Sequence, residues 1–138
     1  MRHMTAEYSL LESLAKSSLM LSVQIFGVKN SPGTRAAERF FKERRIAIHF
    51  VDLKQKPMAA GEINRFITRF GLQAMLDREG KAFAEAGLQY LRVPDPELLQ
   101  RIERAPGLLK LPLIRGGKFL SIGEDPETWK AMATATAK

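Results

Sequence analysis

The sequence of 138 residues contains no cysteine. Disulfides, thiolate zinc sites, iron–sulfur clusters and thiol catalysis are therefore excluded together. Histidine is nearly absent as well: His3 lies close to the first residue and His49 lies inside an apolar stretch. Neither position offers an evident base for a nucleophile. We expect no metal site and no catalytic residue.

Long apolar runs are also missing. None approaches the roughly 20 residues that a membrane-spanning helix needs. Residues 1–20 lack the long apolar core and the small-residue cleavage site of a secretory signal. We therefore expect a cytoplasmic protein with no membrane partner.

Residues 1–20 form an N-terminal arm. Four of its leucines recur at near-helical spacing: Leu10, Leu11, Leu14 and Leu19. This spacing predicts a short amphipathic helix that packs on the rest of the chain or on a second copy. Met4 and Met20 are alternative starts, so the other interpretation is that part of the arm is a tag or a misassigned leader.

The composition, 45% hydrophobic and 27% charged, is typical of a globular protein. The formal net charge of +7 favours encounters with nucleic acid, acidic proteins or anionic metabolites. The densest basic cluster, residues 42–45, is interrupted by Glu43, whereas nucleic-acid binders usually carry a longer stripe. A solvated helix end explains this cluster. We expect no direct contact with nucleic acid.

The first half of the chain alternates between strand and helix patterns. Residues 21–26 and 46–53 predict two strands from their apolar content and alternation. Between them, residues 34–45 predict a helix, because four apolar residues recur at the helical interval. These are Ala36, Ala37, Phe40 and Phe41. The close spacing of strand, helix and strand predicts a parallel βαβ unit.

The middle of the chain is predicted to be helical. Residues 58–71 predict a helix that stops at Gly71 in a left-handed conformation. Residues 72–80 predict a short turn. A further helix is predicted at 95–107, with Asp95 as its N-cap and a proline at the first helical position.

A hairpin and a last helix close the chain. Residues 111–114 and 119–122 are two apolar runs. The Gly116 and Gly117 pair between them supplies the positive φ angles that a tight hairpin turn needs. Asp125 is then predicted to cap a final helix.

The order β-α-β, helices, β-β-α predicts the fold class. It is α/β, of the α+β type, with a small mixed sheet made of βαβ and ββα halves and a helical insertion. This is the order of elements in the thioredoxin-like fold. No repeat, low-complexity stretch or linker divides residues 21–138, so we expect them to form a single domain.

Four stretches in this order resemble one family. They are IFGVKN before the first helix, GLQAMLDREG in the middle, LPLI at the hairpin entry and IGEDPETWKA at its exit. Together they are similar to the family of glutaredoxin-linked arsenate reductases and Spx transcription regulators, over residues 21–132. The resemblance implies a bacterial, cytoplasmic protein with a thioredoxin-like fold.

In that family a catalytic cysteine follows a Lys-Asn pair at the first helix. Lys29 and Asn30 match this pair, but Ser31 stands at the cysteine position. A hydroxyl cannot form the mixed disulfide through which thiol redox chemistry passes. We therefore expect a pseudoenzyme without thiol-dependent arsenate reduction, and whether another enzymatic activity is present is left open.

The resemblance also implies three anion-binding arginines, of which at least two are missing. Leu111 replaces the arginine before the hairpin proline, and no arginine lies in residues 121–124. Arg78 is the candidate for the third. The missing arginines put arsenate recognition in doubt as well as the redox step.

The turn at Ser31 has two interpretations. In the first, Ser31 is simply the N-cap of a helix whose first residue is a proline. In the second, the amides of Gly33, Thr34 and Arg35 stay free at the positive end of the helix. Flanked by Lys29 and Arg35, they would then bind a carboxylate or a phosphate.

Pro112 matches the proline that is cis in thioredoxin-fold proteins, so the resemblance implies a cis Leu111–Pro112 bond. It also implies that the backbone of Leu111 faces the Ser31 turn and offers an edge to an extended peptide or to glutathione. We expect Lys110 and Arg115 to lie close enough to this groove to bind an acidic group.

Two functions follow from these residues and from the resemblance. The first is a non-catalytic arsenate reductase-like or Spx-like protein that binds a protein or an anionic ligand at the first-helix N-terminus and the Pro112 groove. Spx regulators bind RNA polymerase, which makes a protein partner the leading expectation. The alternative is a glutathione-binding or glutathione-dependent enzyme in which Ser31 donates a hydrogen bond to a noncovalently bound thiol. No other cofactor is expected.

Overall fold

A computed structural model describes residues 22–136, so the N-terminal arm and its predicted helix lie outside the described residues. Within that range, four strands form one sheet in the order β2-β1-β3-β4. The strands are β1 (Ser22–Gly27), β2 (Ala47–Asp52), β3 (Leu113–Gly116) and β4 (Phe119–Ile122). The α-helices are α1 (Pro32–Glu43), α2 (Ala60–Phe70), α3 (Lys81–Glu85), α4 (Asp95–Arg104) and α5 (Pro126–Thr136).

The first two strands are parallel, as predicted. β1 pairs with β2 in a register that begins with Ser22 opposite Ala47, and α1 connects the two strands. The buried apolar residues of β1 contact two different cores. Val23 and Ile25 belong to the core under α1 and α5, whereas Phe26 belongs to the core under the helical insertion.

The predicted apolar face of α1 is confirmed. Ala37 and Phe41 are fully buried, and Ala36 and Phe40 are partly buried at the edge of the same core. The ring of Phe41 lies 6.2 Å from that of Trp129 in α5, centroid to centroid. These contacts fix α1 on the sheet and leave its first turn beside the end of β1.

The helical insertion lies between β2 and β3 and covers the opposite face of the sheet. α2 ends at Gly71 as predicted, with φ 85° and ψ 141°. The φ is positive, as a glycine allows, but the ψ is not the left-handed helical value that we predicted.

The second predicted helix of the insertion starts one residue earlier than expected. Pro94 is the N-cap of α4 and Asp95 is already helical, without a side-chain capping bond. Its carboxylate therefore acts on the helix dipole from the first turn and does not cap the helix. Three short elements of the insertion were not predicted, because fewer than six residues carry little periodicity: α3 and the 3₁₀ turns Leu88–Tyr90 and Pro106–Leu108.

The hairpin is confirmed, but its turn is shifted. β3 is antiparallel to β1 and to β4, which makes the sheet mixed. Gly116 is the last residue of β3, so the turn is Gly117 and Lys118, and only Gly117 has a positive φ, 58°. A Cβ on Gly116 would lie 3.0 Å from Val23 Cγ1 and 3.1 Å from Met132 Cγ. Close packing, not turn geometry, explains this glycine.

α5 completes the ββα half of the fold. Asp125 caps it as predicted, since its carboxylate accepts hydrogen bonds from Thr128 N at 3.2 Å and from Thr128 Oγ1 at 2.6 Å. Trp129 and Met132 are buried against the sheet. The predicted thioredoxin-like order of βαβ half, helical insertion and ββα half is therefore confirmed. None of the described helices combines the length and the hydrophobicity that a membrane span requires.

Candidate functional site

An open groove of about 610 Å³ lies where the first turn of α1 meets the entry and the exit of the hairpin. We call it the serine groove. The lining residues that matter below are Ser31, Gly33, Asp77, Leu111, Gly123 and Glu124. The groove therefore brings together the Ser31 turn and Leu111, which the sequence predicted to face each other.

Ser31 is the N-cap of α1. Its backbone is extended, and its Oγ accepts a hydrogen bond from Thr34 N at 3.2 Å. Arg35 N donates to Ser31 O at 3.0 Å, which is the first hydrogen bond of the helix. The prediction that the amides of Thr34 and Arg35 stay free is wrong, because the cap residue accepts both bonds. Pro32 has no N–H, so Gly33 has the one amide of this first turn that has no partner among residues 22–136.

Gly33 brings the helix into contact with the hairpin entry. A Cβ at this position would lie 2.6 Å from Leu111 O, 3.3 Å from Pro112 Cδ and 3.3 Å from Glu124 Cγ. The Leu111–Pro112 peptide bond is cis, which confirms the prediction. Only a glycine allows the carbonyl of Leu111 to lie this close to the start of α1.

The main chain of Leu111 lacks hydrogen-bond partners among the described residues, although both neighbours have them. Lys110 N donates to Met75 O at 2.8 Å. Gly123 N donates to Lys110 O and to Pro112 O, each at 2.9 Å. The N–H and C=O of Leu111 are therefore unpaired at the wall of the serine groove, as the Gly33 amide is, and such groups normally find a partner. Its side chain also lines the groove and makes this wall apolar, as predicted.

The charge in the serine groove is mainly negative. Asp77 and Glu124 line it together with Lys110, and none of the three forms an ion pair within residues 22–136. Lys29 and Arg35, the predicted cationic flanks, are exposed and do not line the groove. The geometry is therefore unfavourable for the predicted anion pocket, because two carboxylates lie where cations were expected.

The other predicted residues are divided between the groove and its surroundings. Asn30 is exposed in the turn before α1. Thr34 is fully buried and faces β1, where a Cβ on Gly27 would lie 2.4 Å from its Oγ1. Arg78 lines two neighbouring concavities, and from its segment Asp77 is the residue that lines the serine groove.

Arg115 was predicted to lie close to the groove, and this is wrong. Its guanidinium forms an ion pair with Glu62 of α2 at 2.8 Å and donates to Gln24 Oε1. Gln24 in turn hydrogen-bonds His49 Nδ1 through its Nε2 at 3.1 Å. Arg115 and His49 therefore belong to a polar row across the sheet and have no part in the groove.

The described residues offer little for catalysis. No group of three or more His, Asp or Glu side chains within residues 22–136 could hold a metal ion. The groove has a hydroxyl at Ser31 and no histidine beside it. A general base within hydrogen-bond reach is needed to activate a hydroxyl. Asp77 and Gly123 were not predicted from the sequence as groove residues. Both lie in the stretches that carry the resemblance, GLQAMLDREG and IGEDPETWKA, but a sequence pattern does not show which of its residues line the groove.

Both the sequence and the fold are similar to those of known proteins. The model of the ArsC family matches residues 26–132. Global transcriptional regulator Spx 2 of Oceanobacillus iheyensis is 29% identical over 105 residues, which are 75% of this chain and 77% of the regulator.

Two solved structures have a similar fold. An arsenate reductase from Vibrio cholerae is 18% identical with a TM-score of 0.66, and the match covers 80% of this chain and 97% of that protein. An arsenate reductase (ArsC) related protein from Brucella melitensis is 22% identical with a TM-score of 0.57, and the match covers 80% and 92% of the two chains. At these identities the two structures establish the fold and not the chemistry.

Proposed function

The chain belongs to the ArsC family, and from this premise we propose that it is a non-catalytic member that binds an extended segment of a protein partner in the serine groove. The observation that carries the proposal is the unpaired main chain of Leu111 at the wall of that groove. An extended segment can add its own N–H and C=O to such an edge, as in strand addition.

The absence of a thiol supports a binding role over a reductase role. The chain has no cysteine, and the residue at the mouth of α1 is Ser31, whose Oγ is used as a helix cap. Thiol exchange needs a thiolate, so the redox step of the family's reductases has no reacting atom in this chain.

The charges of the serine groove favour a particular kind of segment. Asp77 and Glu124 line the groove and have no ion-pair partner among the described residues. A lysine or arginine of the partner would face these carboxylates, whereas an acidic or phosphorylated segment would be repelled. We therefore propose a partner segment that is extended and carries a basic side chain.

The similarity to a relative named as a global transcriptional regulator suggests a biological role in regulation. A protein without reductase chemistry can still regulate by binding another protein, and we propose this as the biological role. The cytoplasmic location, the bacterial origin and the single domain at 21–138 stay predictions.

The direct test is an amide chemical-shift titration of the full, isotope-labelled chain. The ligand is a short acetylated peptide of alternating valine and threonine with one central lysine, and the matched ligand has glutamate in its place. We expect the lysine peptide to shift the amides of Gly33, Leu111 and Gly123 saturably, and the glutamate peptide to leave them unchanged. No shift at Leu111 with either peptide would contradict the proposal.

The contribution of the two carboxylates is tested in the same titration. The double variant Asp77→Asn/Glu124→Gln should lose the preference for the lysine peptide. The control Asp95→Asn/Glu103→Gln removes the same charges from exposed positions of α4 and should keep it. A pull-down from lysate with wild type and both variants would then show which partner proteins depend on the groove.

Noncovalent glutathione binding is the second candidate. Ser31 lines the groove, and because its Oγ accepts a hydrogen bond from Thr34 N, its hydroxyl hydrogen is available to donate to a thiol. The carboxylates of glutathione would face Asp77 and Glu124, which is why this candidate ranks second. A glutathione titration at millimolar concentration with no shift at residues 30–35 would exclude it.

A further inference from the structure

A second concavity, of about 490 Å³, lies in the helical insertion. Its rim carries four polar side chains: Gln73, Arg78, Gln89 and Arg92. Its floor is apolar and consists of core residues that are each less than a tenth exposed: Leu76, Phe83, Leu88 and Leu98. We call it the arginine pocket. Its volume is in the range of small-molecule sites, about 300–1,000 Å³.

The two arginines give the pocket a positive rim. No aspartate or glutamate is among its lining residues in the described part of the chain. Neither Arg78 nor Arg92 forms an ion pair within residues 22–136. A rim with two guanidinium groups and no carboxylate attracts an anion, and guanidinium groups bind carboxylate and phosphate through paired N–H donors.

Arg78 is already held in position for such a ligand. Its Nη2 donates to Gln73 Oε1 at 2.5 Å. Its guanidinium carbon lies 5.7 Å from the centroid of the Phe83 ring. These contacts use one of its five donors and restrict the side chain, so the ordering cost of binding an anion is reduced.

The apolar part of the pocket continues onto the surface. Tyr90 and Leu91 are the large hydrophobic residues that are exposed in the described chain, at 85% and 52%. Leu91 itself lines the pocket, and Tyr90 is its neighbour in the chain. Exposed apolar residues beside a cavity are typical of ligand sites. A ligand with a charged group and an apolar body could therefore contact both the arginine rim and this apolar surface.

We propose that the arginine pocket binds a small organic anion, a carboxylate or phosphate ester with an aromatic or aliphatic body. Its anionic group would pair with Arg78 and Arg92, and its body would lie on the Phe83 and Leu88 floor. The site is separate from the serine groove, so it does not depend on the proposed function.

The test uses phenyl phosphate as the probe and the full, isotope-labelled chain. We expect saturable amide shifts in residues 73–78 and 87–93. Inorganic phosphate lacks the body and benzyl alcohol lacks the charge, so each should bind at least about tenfold more weakly. Benzoate should shift the same amides, because its carboxylate replaces the phosphate.

Two double variants test whether binding depends on the two arginines of the pocket. The double variant Arg78→Gln/Arg92→Gln should bind phenyl phosphate at least about tenfold more weakly than wild type. Arg39→Gln/Arg69→Gln removes two exposed arginines outside the pocket and should leave the affinity unchanged. The proposal is overturned if phenyl phosphate and benzoate produce no saturable shift, or if both double variants bind phenyl phosphate equally.

Discussion

The serine groove and the arginine pocket are neighbours of opposite charge. Asp77 lines the groove and the next residue, Arg78, lines the pocket. The fold alone would put an anion at the first turn of α1, where helix N-termini usually bind one. The comparison teaches that the two arginines of the arginine pocket do not line the serine groove, although Asp77 and Arg78 are adjacent in the chain and also line a smaller concavity together.

Two of the three amides in the first turn of α1 have acceptors within the described chain, and the Gly33 amide is the exception. Ser31 accepts the hydrogen bonds of Thr34 N and Arg35 N, and Glu124 lies beside Gly33. A carboxylate near a helix N-terminus is stabilising. An external anion would therefore gain little at the serine groove, whereas the two guanidinium groups of the arginine pocket form no ion pair among the described residues.

The largest effect is expected from Gly33→Ala, which tests the close contact at the serine groove. The new Cβ would lie 2.6 Å from Leu111 O, so the free energy of unfolding should fall by about 1–3 kcal/mol. Gly61→Ala is the matched control, since Gly61 is also the second residue of its helix and has open space around it. The Gly61→Ala variant should have a free energy of unfolding about 0.4–1 kcal/mol higher than wild type. Urea unfolding measures both, and equal effects would show that the contact at Gly33 does not matter.

A charge swap tests the comparison itself. Asp77→Arg/Arg78→Asp leaves the net charge of +7 unchanged but reverses one charge in each concavity, while Glu124 stays in the groove and Arg92 stays in the pocket. We expect the affinity of the groove for the lysine peptide to fall about tenfold, and the affinity of the pocket for phenyl phosphate to fall about tenfold as well. Amide-shift titrations with each ligand give the two affinities. If both affinities stay as in wild type, the two residues do not determine the charge preference.

Ser31→Ala tests how much the N-cap hydrogen bond of Ser31 contributes to the stability of the fold. Loss of the cap should lower the free energy of unfolding by about 1 kcal/mol, because Thr34 N loses its acceptor. Ser31→Asp should restore most of the stability, since aspartate caps as well as serine does. Urea unfolding of the three proteins decides this, and an alanine variant as stable as wild type would mean that the cap contributes nothing.

The smallest effect is expected at Lys110, the one cation among the described residues that line the serine groove. Lys110→Gln makes the groove more negative and should strengthen binding of the lysine peptide by about 0.5 kcal/mol, which is the size of effect typical of an exposed charge. Lys130→Gln, on α5 and outside the groove, is the control. The peptide titration measures the difference, and weaker binding by Lys110→Gln would mean that Lys110 itself contacts the ligand.

Much of the fold could be predicted from the sequence because its signals are local. The Ser-Pro start of α1 and the caps at Gly71 and Asp125 are read from neighbouring residues. The hairpin turn was misplaced because Gly116 is needed for packing against Met132, and a sequence does not show which glycine in a pair is needed for which purpose. α3 has too few residues to show a period.

The site was less predictable than the fold. Ser31, Gly33 and Leu111 were found because the helix start and the hairpin proline mark them. Asp77 and Glu124 reach the groove from segments far apart in the chain. Only the tertiary structure decides that Asp77 faces the groove and that its neighbour Arg78 does not. The charge of the groove therefore could not be deduced from the overall positive charge.

The most direct test of the central claim is an amide-shift titration of the full chain with inorganic arsenate, followed by an assay for arsenate turnover with reduced glutathione. The account predicts no saturable shift at Gly33, Leu111 or Glu124, and no turnover. Saturable shifts at these three amides, or turnover by the purified chain, would contradict it.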